Sequence, residues 1–399
     1  MPSGEVGFQG RPSAVVFGAG SVGRGFLGQL FSESGYEVVF VDLDEPLLAA
    51  LARHGNYTLR LAGVVKVEDR LIGPVRAVDA RDGLAVAREV AAAAVMATAV
   101  GARALPAVGA AMARGLALRW ESAIEAPLNV IICENLHDAP ERLGEHIRGA
   151  LPRTWLAHAT ARLGLVPAVI ARMSPVPTPE QRALDPALIV AEPYKVLPVD
   201  RAAFVGPIPE IVGMEAVAPF AAYTSRKLFI HNASHAILGY LGSRRGYEYG
   251  YEALEEAWIR SRMEAALDEA ALGLIAEYGF EPVALREHID YLLVRFANKV
   301  LADPVTRLAR DPLRKLAPGD RLVGAARLAE KHGIKPEGLA WGIAGALVFD
   351  DPDDPHAVAL QQRIAKQGIA QTLQDVCGIR RDEALGELVL ARYSELRGQ

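Results

Sequence analysis

The chain has 399 residues, 51% of them hydrophobic, only 7% aromatic and 23% charged, with a formal net charge of -5. That length suggests two domains, and a chain of this size buries a large core without disulfides or metal staples. The mild acidity argues against nucleic acid as a bulk partner, and the apolar content argues against disorder.

The two cysteines, Cys133 and Cys377, cannot build a Cys-rich zinc site, and there is no C-x-x-C pair. Two thiols in so long a chain read as reduced residues of a cytoplasmic protein. The N-terminus, Met1 to Arg11, lacks an apolar core for a secretory signal. The most apolar stretch, Val90 to Ala102, is shorter than the ~20 residues of a membrane span. The expectation is a cytoplasmic protein with no membrane or nucleic-acid partner, working on a small molecule as a monomer or homodimer.

In chain order, Ala14-Val15-Val16-Phe17 predicts a short buried strand ending in glycines, and Phe26 to Ser34 predicts a helix stopped by Gly35. Glu37 to Val41, Val95 to Val100 and Leu128 to Cys133 predict further strands. Strands alternating with helices imply a parallel sheet covered on both faces. Tyr57 to Val78 has β-type residues without helical period and reads as a hairpin-like excursion. Nine prolines from Pro167 to Pro209 mark a zone suited to a crossover between domains. From about Phe220 the pattern is helical, with amphipathic runs at Tyr251 to Tyr278, Pro336 to Phe349, His356 to Val376 and Asp382 to Arg397. The fold class expected is α/β: an N-terminal parallel-sheet domain over residues 1–200 and an all-α C-terminal domain over residues 201–399.

Gly18-Ala19-Gly20-Ser21-Val22-Gly23 is a G-x-G-x-x-G turn after a strand and before a helix. Gly18 permits the tight turn, Gly20 lets a pyrophosphate approach the backbone, and Gly23 lets the helix pack on the sheet. Asp42, 19 residues after Gly23, ends the next strand where an acid binds the adenosine ribose. The competing reading of Asp42 is a strand-end turn residue, which Asp44 beside it also suits. The cofactor expected is NAD, because a carboxylate there repels the 2′-phosphate of NADP. Gly18, Gly20, Ser21, Val22, Gly23, Asp42, Thr98 and Val100 are the candidate cofactor contacts.

The second constellation is Arg226-Lys227-Leu228-Phe229-Ile230-His231-Asn232-Ala233-Ser234-His235. On an α-helix at ~100° per residue, Lys227, Asn232 and His235 fall within an arc of ~140°. A lysine becomes a general base when desolvation and nearby cations lower its pKa; Arg226 and a protonatable His235 are such neighbours. An amide such as Asn232 can donate to an oxygen gaining negative charge. The bland reading is a solvated helix face. His231 reads as a neighbour or packing residue. Tyr223 and Lys227 also form Y-x-x-x-K, but the glycine turn differs from the one that accompanies that pair in short-chain dehydrogenases.

Together with Cys133-Glu134-Asn135 and Pro312-Leu313-Arg314-Lys315-Leu316, these motifs recur in the order found in one family. The chain resembles the polyol-specific long-chain dehydrogenases, the mannitol dehydrogenase family, from about Ala14 to the C-terminal helices. The resemblance implies a Rossmann-type domain, a helical domain, a cleft between them, and a metal-independent reaction. Lys227 matches the general acid/base, Asn232 the residue that polarises the reacting oxygen, and His235 the histidine that orients substrate hydroxyls. Asn135, Arg307 and Lys315 match positions lining the polyol site.

The reaction implied is NAD-dependent interconversion of D-mannitol 1-phosphate and D-fructose 6-phosphate. Arg307, Arg314, Lys315 and Arg321 are candidates for the phosphate; the alternative pairs them with Asp303, Asp311 and Asp320 on a charged helix face. Within the family, free mannitol and hexuronates are rival substrates, and a non-catalytic NAD-binding sensor is the rival outside it. Two departures stand out: Ile170-Ala171-Arg172 has alanine where the family usually has aspartate, and Lys299 follows Asn298 where proline is usual.

Overall fold

The computed structural model describes residues 10–398. The N-terminal stretch read as lacking a secretory signal therefore lies, up to residue 9, outside the described residues. The chain divides into two compact units, one ending at Phe220 and the other beginning at Ala221.

The strands of the first unit are, in order, β1 Ser13–Phe17, β2 Glu37–Asp42, β3 Tyr57–Ala62, β4 Val67–Ile72, β5 Val75–Asp79 and β6 Val95–Thr98. They are followed by β7 Leu128–Ile132, β8 Leu163–Pro167, β9 Ile189–Ala191, β10 Leu197–Asp200 and β11 Met214–Val217. The main sheet has six strands in the order β5-β2-β1-β6-β7-β8, and every pairing is parallel. Counted along the sheet's own strands, this is the 3-2-1-4-5-6 order of dinucleotide-binding folds, whose direction of winding reverses at β1 and β6.

Both faces of the sheet are covered, so alternate residues of one strand enter different cores. Ala14, Val16, Val38 and Phe40 pack with Phe26, Leu30, Leu47 and Leu51. Val15, Phe17, Val39 and Val41 pack with Val86, Val90, Met112 and Leu143 on the opposite side. The strands therefore read as continuous apolar runs rather than alternating ones. Local signals set the helix ends: Asp44 caps Glu45–His54 by accepting from the Leu47 N–H at 3.3 Å, and Gly55, at φ 65°, stops it in the left-handed region.

The excursion after Tyr57 is a hairpin of β3 and β4, with β9 joining the other edge of β3. Its last part, β5, instead returns to the main sheet beside β2. The proline-rich zone is not a crossover. Between the end of β8 and Pro209 it carries β9, β10 and the short helix Pro179–Leu184, all within the first unit. β10 pairs in parallel with β11, so a boundary after residue 200 would separate two hydrogen-bonded strands; the unit runs on to Phe220.

Among its described residues the second unit has helices and one isolated bridge, Tyr249 with Pro304, but no named strand. Helix Glu337–Val348 is buried on every side from Gly338 to Leu347 and packs against Ala257–Tyr278 and Ala384–Gly398. Two of the expected helices are broken. Tyr251 to Tyr278 divides at Glu256 into Gly250–Glu255 and Ala257–Tyr278, and His356 to Val376 divides at Gly368 into Pro355–Gln367 and Ile369–Cys377. No helix among the described residues is long and apolar enough to cross a membrane.

Candidate active site

The first unit forms a cradle where β1 gives way to its helix. Gly18 turns at φ 93°, and a Cβ there would sit 2.4 Å from the Ala99 carbonyl oxygen. At Gly23 a Cβ would sit 1.9 Å from the Gly18 carbonyl oxygen. A Cβ at Gly20 would meet nothing within 4 Å, so packing within the protein does not demand glycine there. Ser21 and Val22, partly exposed, complete the turn.

The helix that follows begins earlier than expected, at Gly23, and its first turn Gly23–Leu27 is a π-turn, with the Leu27 N–H on the Val22 carbonyl at 3.0 Å. The start of a helix at such a turn is an arrangement that attracts phosphate. Beneath it the buried Arg24 guanidinium donates to the carbonyls of Ala19 and Ala187, both at 2.5 Å, and ties the turn to the segment before β9.

Asp42 combines the two readings of it. Its carboxylate accepts from the N–H groups of Ala19 at 2.6 Å, Leu43 at 2.7 Å and Asp44 at 3.1 Å, so it braces the glycine turn. A carboxylate offers about four acceptor sites, which leaves capacity for a ribose hydroxyl. Asp42 also lines a cavity of about 380 Å³, with Gly18, Gly20, Leu43, Val100 and Val108. That volume and its apolar walls suit a planar heterocycle with one polar anchor. Thr98 does not reach it: the residue is 0% exposed, and its hydroxyl has no hydrogen-bond partner among the described residues. Asn135 is exposed beyond the end of β7.

In the second unit the lysine motif does not lie on a plain α-helix. Phe220–Arg226 is α-helical, Lys227–Asn232 is a π-turn, and Ala233–Arg244 is α-helical again. The Ala233 N–H reaches the Leu228 carbonyl five residues back. The wider turn changes the angular spacing of Lys227, Asn232 and His235 from the α-helical expectation, and π-turns of this kind concentrate at functional sites.

Lys227 is half-buried, and its pKa is pushed down to about 8, first by burial and then by the Arg321 guanidinium. The expected neighbours differ. His235 is held well below the ordinary histidine range by burial and by Arg307, Arg295, Lys315 and Arg321, so it is neutral and adds no charge. Arg226 lies over the rings of Tyr223, at 4.7 Å, and Phe280, at 5.6 Å. The His235 ring stacks on Phe296 at 4.0 Å, with the buried His231 edge-on at 4.7 Å. That packing fixes the His235 ring.

The basic stretch is largely neutralised. Arg307 pairs with Asp303, Arg314 with Asp311 at 2.7 Å, and Arg321 with Asp320 at 2.7 Å. Lys315 is 4% exposed, donates to the Leu308 carbonyl and sits 5.5 Å from the Tyr240 ring; burial and Arg321 bring its pKa down to about 7. None of the four stands as an uncompensated surface cation. Among the described residues, no group of three or more His, Cys, Asp or Glu is placed to hold a metal ion, and both cysteines are buried free thiols.

One structural residue was not anticipated. Glu134 accepts from the N–H of Val100 at 2.9 Å and of Gly101 at 2.8 Å. Its place in Cys133-Glu134-Asn135 was visible, but its partners lie 34 and 33 residues away.

The Rossmann domain of mannitol dehydrogenases matches residues 12–213, and the mannitol dehydrogenase C-terminal domain matches residues 220–396. The chain belongs to the mannitol dehydrogenase family. It is 38% identical to a mannitol-1-phosphate 5-dehydrogenase of Bacillus licheniformis, over 95% of this chain and 98% of that protein. It is 36% identical to that of Bacillus subtilis, over 96% of this chain and 100% of the other. Among solved structures, the Pseudomonas fluorescens mannitol 2-dehydrogenase ternary complex with NAD and D-mannitol superposes with a TM-score of 0.74 at 20% identity, covering 98% of this chain and 92% of that one. A D-sorbitol dehydrogenase superposes at 0.81 with 18% identity, covering 97% and 93%. These two show the fold. Membership of the mannitol dehydrogenase family makes the chain an oxidoreductase.

Proposed function

We propose that the chain is a metal-independent, NAD-dependent dehydrogenase that interconverts D-mannitol 1-phosphate and D-fructose 6-phosphate, with Lys227 as general base. The observation that carries this reading is a lysine on a π-turn whose pKa is brought near 8 by burial and the Arg321 guanidinium, on a chain whose full-length relatives carry that enzyme name. A base with a pKa near the working pH is the efficient choice for proton transfer. The residues of the cradle fit a dinucleotide: Gly20 leaves space for a pyrophosphate, and Asp42 keeps an acceptor site for a ribose hydroxyl. The dinucleotide, when bound, supplies the hydride acceptor.

Lys227 takes the hydroxyl proton of the polyol as the carbonyl forms, and returns it in the reduction. Asn232 donates to the reacting oxygen, and neutral His235, held by Phe296, orients the neighbouring hydroxyls. Gly18, Gly20, Ser21, Val22, Gly23, Asp42 and Val100 are the proposed dinucleotide contacts. Thr98 has a supporting place in β6 instead. Arg307, Arg314, Lys315 and Arg321 are the proposed phosphate contacts, and Asn135 is a proposed polyol contact.

The pairing of Arg307, Arg314 and Arg321 with aspartates favours a second reading, an unphosphorylated polyol as substrate. A panel of fructose 6-phosphate, fructose and fructuronate, each with NADH and NADPH, separates the two. The expected result is a clear preference for fructose 6-phosphate with NADH; equal or better turnover of free fructose refutes the phosphate assignment. Arg307→Ala sharpens the test. It is expected to raise KM for fructose 6-phosphate about tenfold, the size of a lost charge-assisted hydrogen bond, and to leave KM for fructose unchanged.

A further inference from the structure

We propose that Glu134 is a positioning residue for the dinucleotide, holding the Val100–Gly101 backbone as a fixed wall of the cavity beside the glycine turn. The inference rests on the NAD reading above. Val100 follows β6, the strand next to β1 at the point where the sheet reverses direction. The segment is pressed against the turn, since the Ala99 carbonyl oxygen lies only 2.4 Å from where a Gly18 Cβ would stand, and Val100 lines the cavity with Asp42. Gly101 sits at φ 82°, ψ 153°, one of several regions a glycine visits freely, so the segment keeps this shape only if something holds it.

Glu134 supplies the restraint from the segment just after β7. One oxygen takes the Val100 N–H at 2.9 Å and the other takes the Gly101 N–H at 2.8 Å. Two successive N–H groups aimed at one anion form the kind of nest that binds a phosphate. Here the protein fills the nest with its own carboxylate. The segment is thus removed from competition for the pyrophosphate, and phosphate binding is left to the glycine turn. The restraint acts on the half of the cavity that Asp42 shares, so Glu134 should govern affinity for the adenosine half of the cofactor rather than the chemistry.

The test uses the full chain, NADH titration by fluorescence, and ADP-ribose, a cofactor fragment without nicotinamide, as a competitive inhibitor. Glu134→Gln keeps one acceptor but turns an amide N–H toward the second backbone N–H. It is expected to raise the Kd for NADH and the Ki for ADP-ribose by the same factor, about tenfold, with kcat at saturating NADH within about twofold of the parent. Gly101→Ala disturbs the same segment without touching Glu134, and is expected to move both constants in the same direction. Unchanged Kd and Ki in Glu134→Gln overturn the proposal. So does a fall in kcat with an unchanged Ki, which would make Glu134 a participant in the reaction. Parent protein that binds neither NADH nor NADPH would instead refute the NAD reading itself, whatever the variants do.

Discussion

Lys227→Ala is expected to lose polyol oxidation by about 10²–10⁴-fold at neutral pH, the range general acid–base groups command, while NADH titration stays at the parent value. The separation follows from where the residues lie: the lysine is in the second unit, and the glycine cradle and Asp42 are in the first. The pH profile tests the same assignment with a definite sign. With a pKa of about 8, Lys227 is protonated at neutral pH. Oxidation needs the free amine, so its kcat/KM rises with pH and levels off above about 8. Reduction needs the ammonium, so its rate is highest below that pH and falls above it.

The cause of the depressed pKa allows a further check. Burial comes first and the Arg321 guanidinium second, so Arg321→Gln should shift the oxidation profile to higher pH without abolishing activity. Near-normal turnover in Lys227→Ala, with loss of turnover in Tyr223→Phe, would return the reaction to the tyrosine of Y-x-x-x-K. The Tyr223 ring, which packs against Phe280 at 5.7 Å and under Arg226, is already engaged in structural contacts.

What was legible in the sequence were features whose signal is local. The glycine turn, the acid at the end of β2 and the change to helix at Phe220 each depend on a few adjacent residues, and the structure has the parallel sheet and helical unit they imply. What was not legible depends on partners far along the chain. The prolines between Pro167 and Pro209 argue against helix, but nothing local says that β9 will join β3 or that β10 will join β11. The π-turn at Lys227 was hidden because an apolar pattern read at 100° per residue cannot register one extra residue in a turn. Cations and acids a few residues apart predict pairs well, as Arg307 with Asp303 and Arg314 with Asp311 demonstrate. Which of those pairs would open for a substrate phosphate is a matter of three-dimensional surroundings, and so is the neutral state of His235.

The three glycines of the cradle should fail differently when replaced by alanine, and the contrast tests whether the turn is a ligand site or only a turn. At Gly23 a Cβ would overlap the Gly18 carbonyl oxygen at 1.9 Å, and backbone must move to admit it. At Gly18 the clash with the Ala99 carbonyl comes with a φ of 93° that alanine rarely adopts. Each of these variants is expected to lose about 1–3 kcal/mol of stability, the usual cost of overpacking or of a strained backbone. That corresponds to a fall of about 2–4 °C in melting temperature per kcal/mol for a domain of this size. NADH binding should weaken along with it.

Gly20→Ala is the informative variant. Its Cβ enters open space, so thermal unfolding should match the parent. If a pyrophosphate lies against that backbone, the methyl group occupies the approach, and the Kd for NADH should rise at least tenfold, or about 1.4 kcal/mol, with kcat at saturation much less affected. Unchanged melting with unchanged NADH affinity in Gly20→Ala would mean that no phosphate approaches this turn, and the cradle would be a structural bend braced by Asp42. Unchanged melting with lost affinity separates binding from folding at a single atom, which the Gly18 and Gly23 variants cannot do because they damage both together.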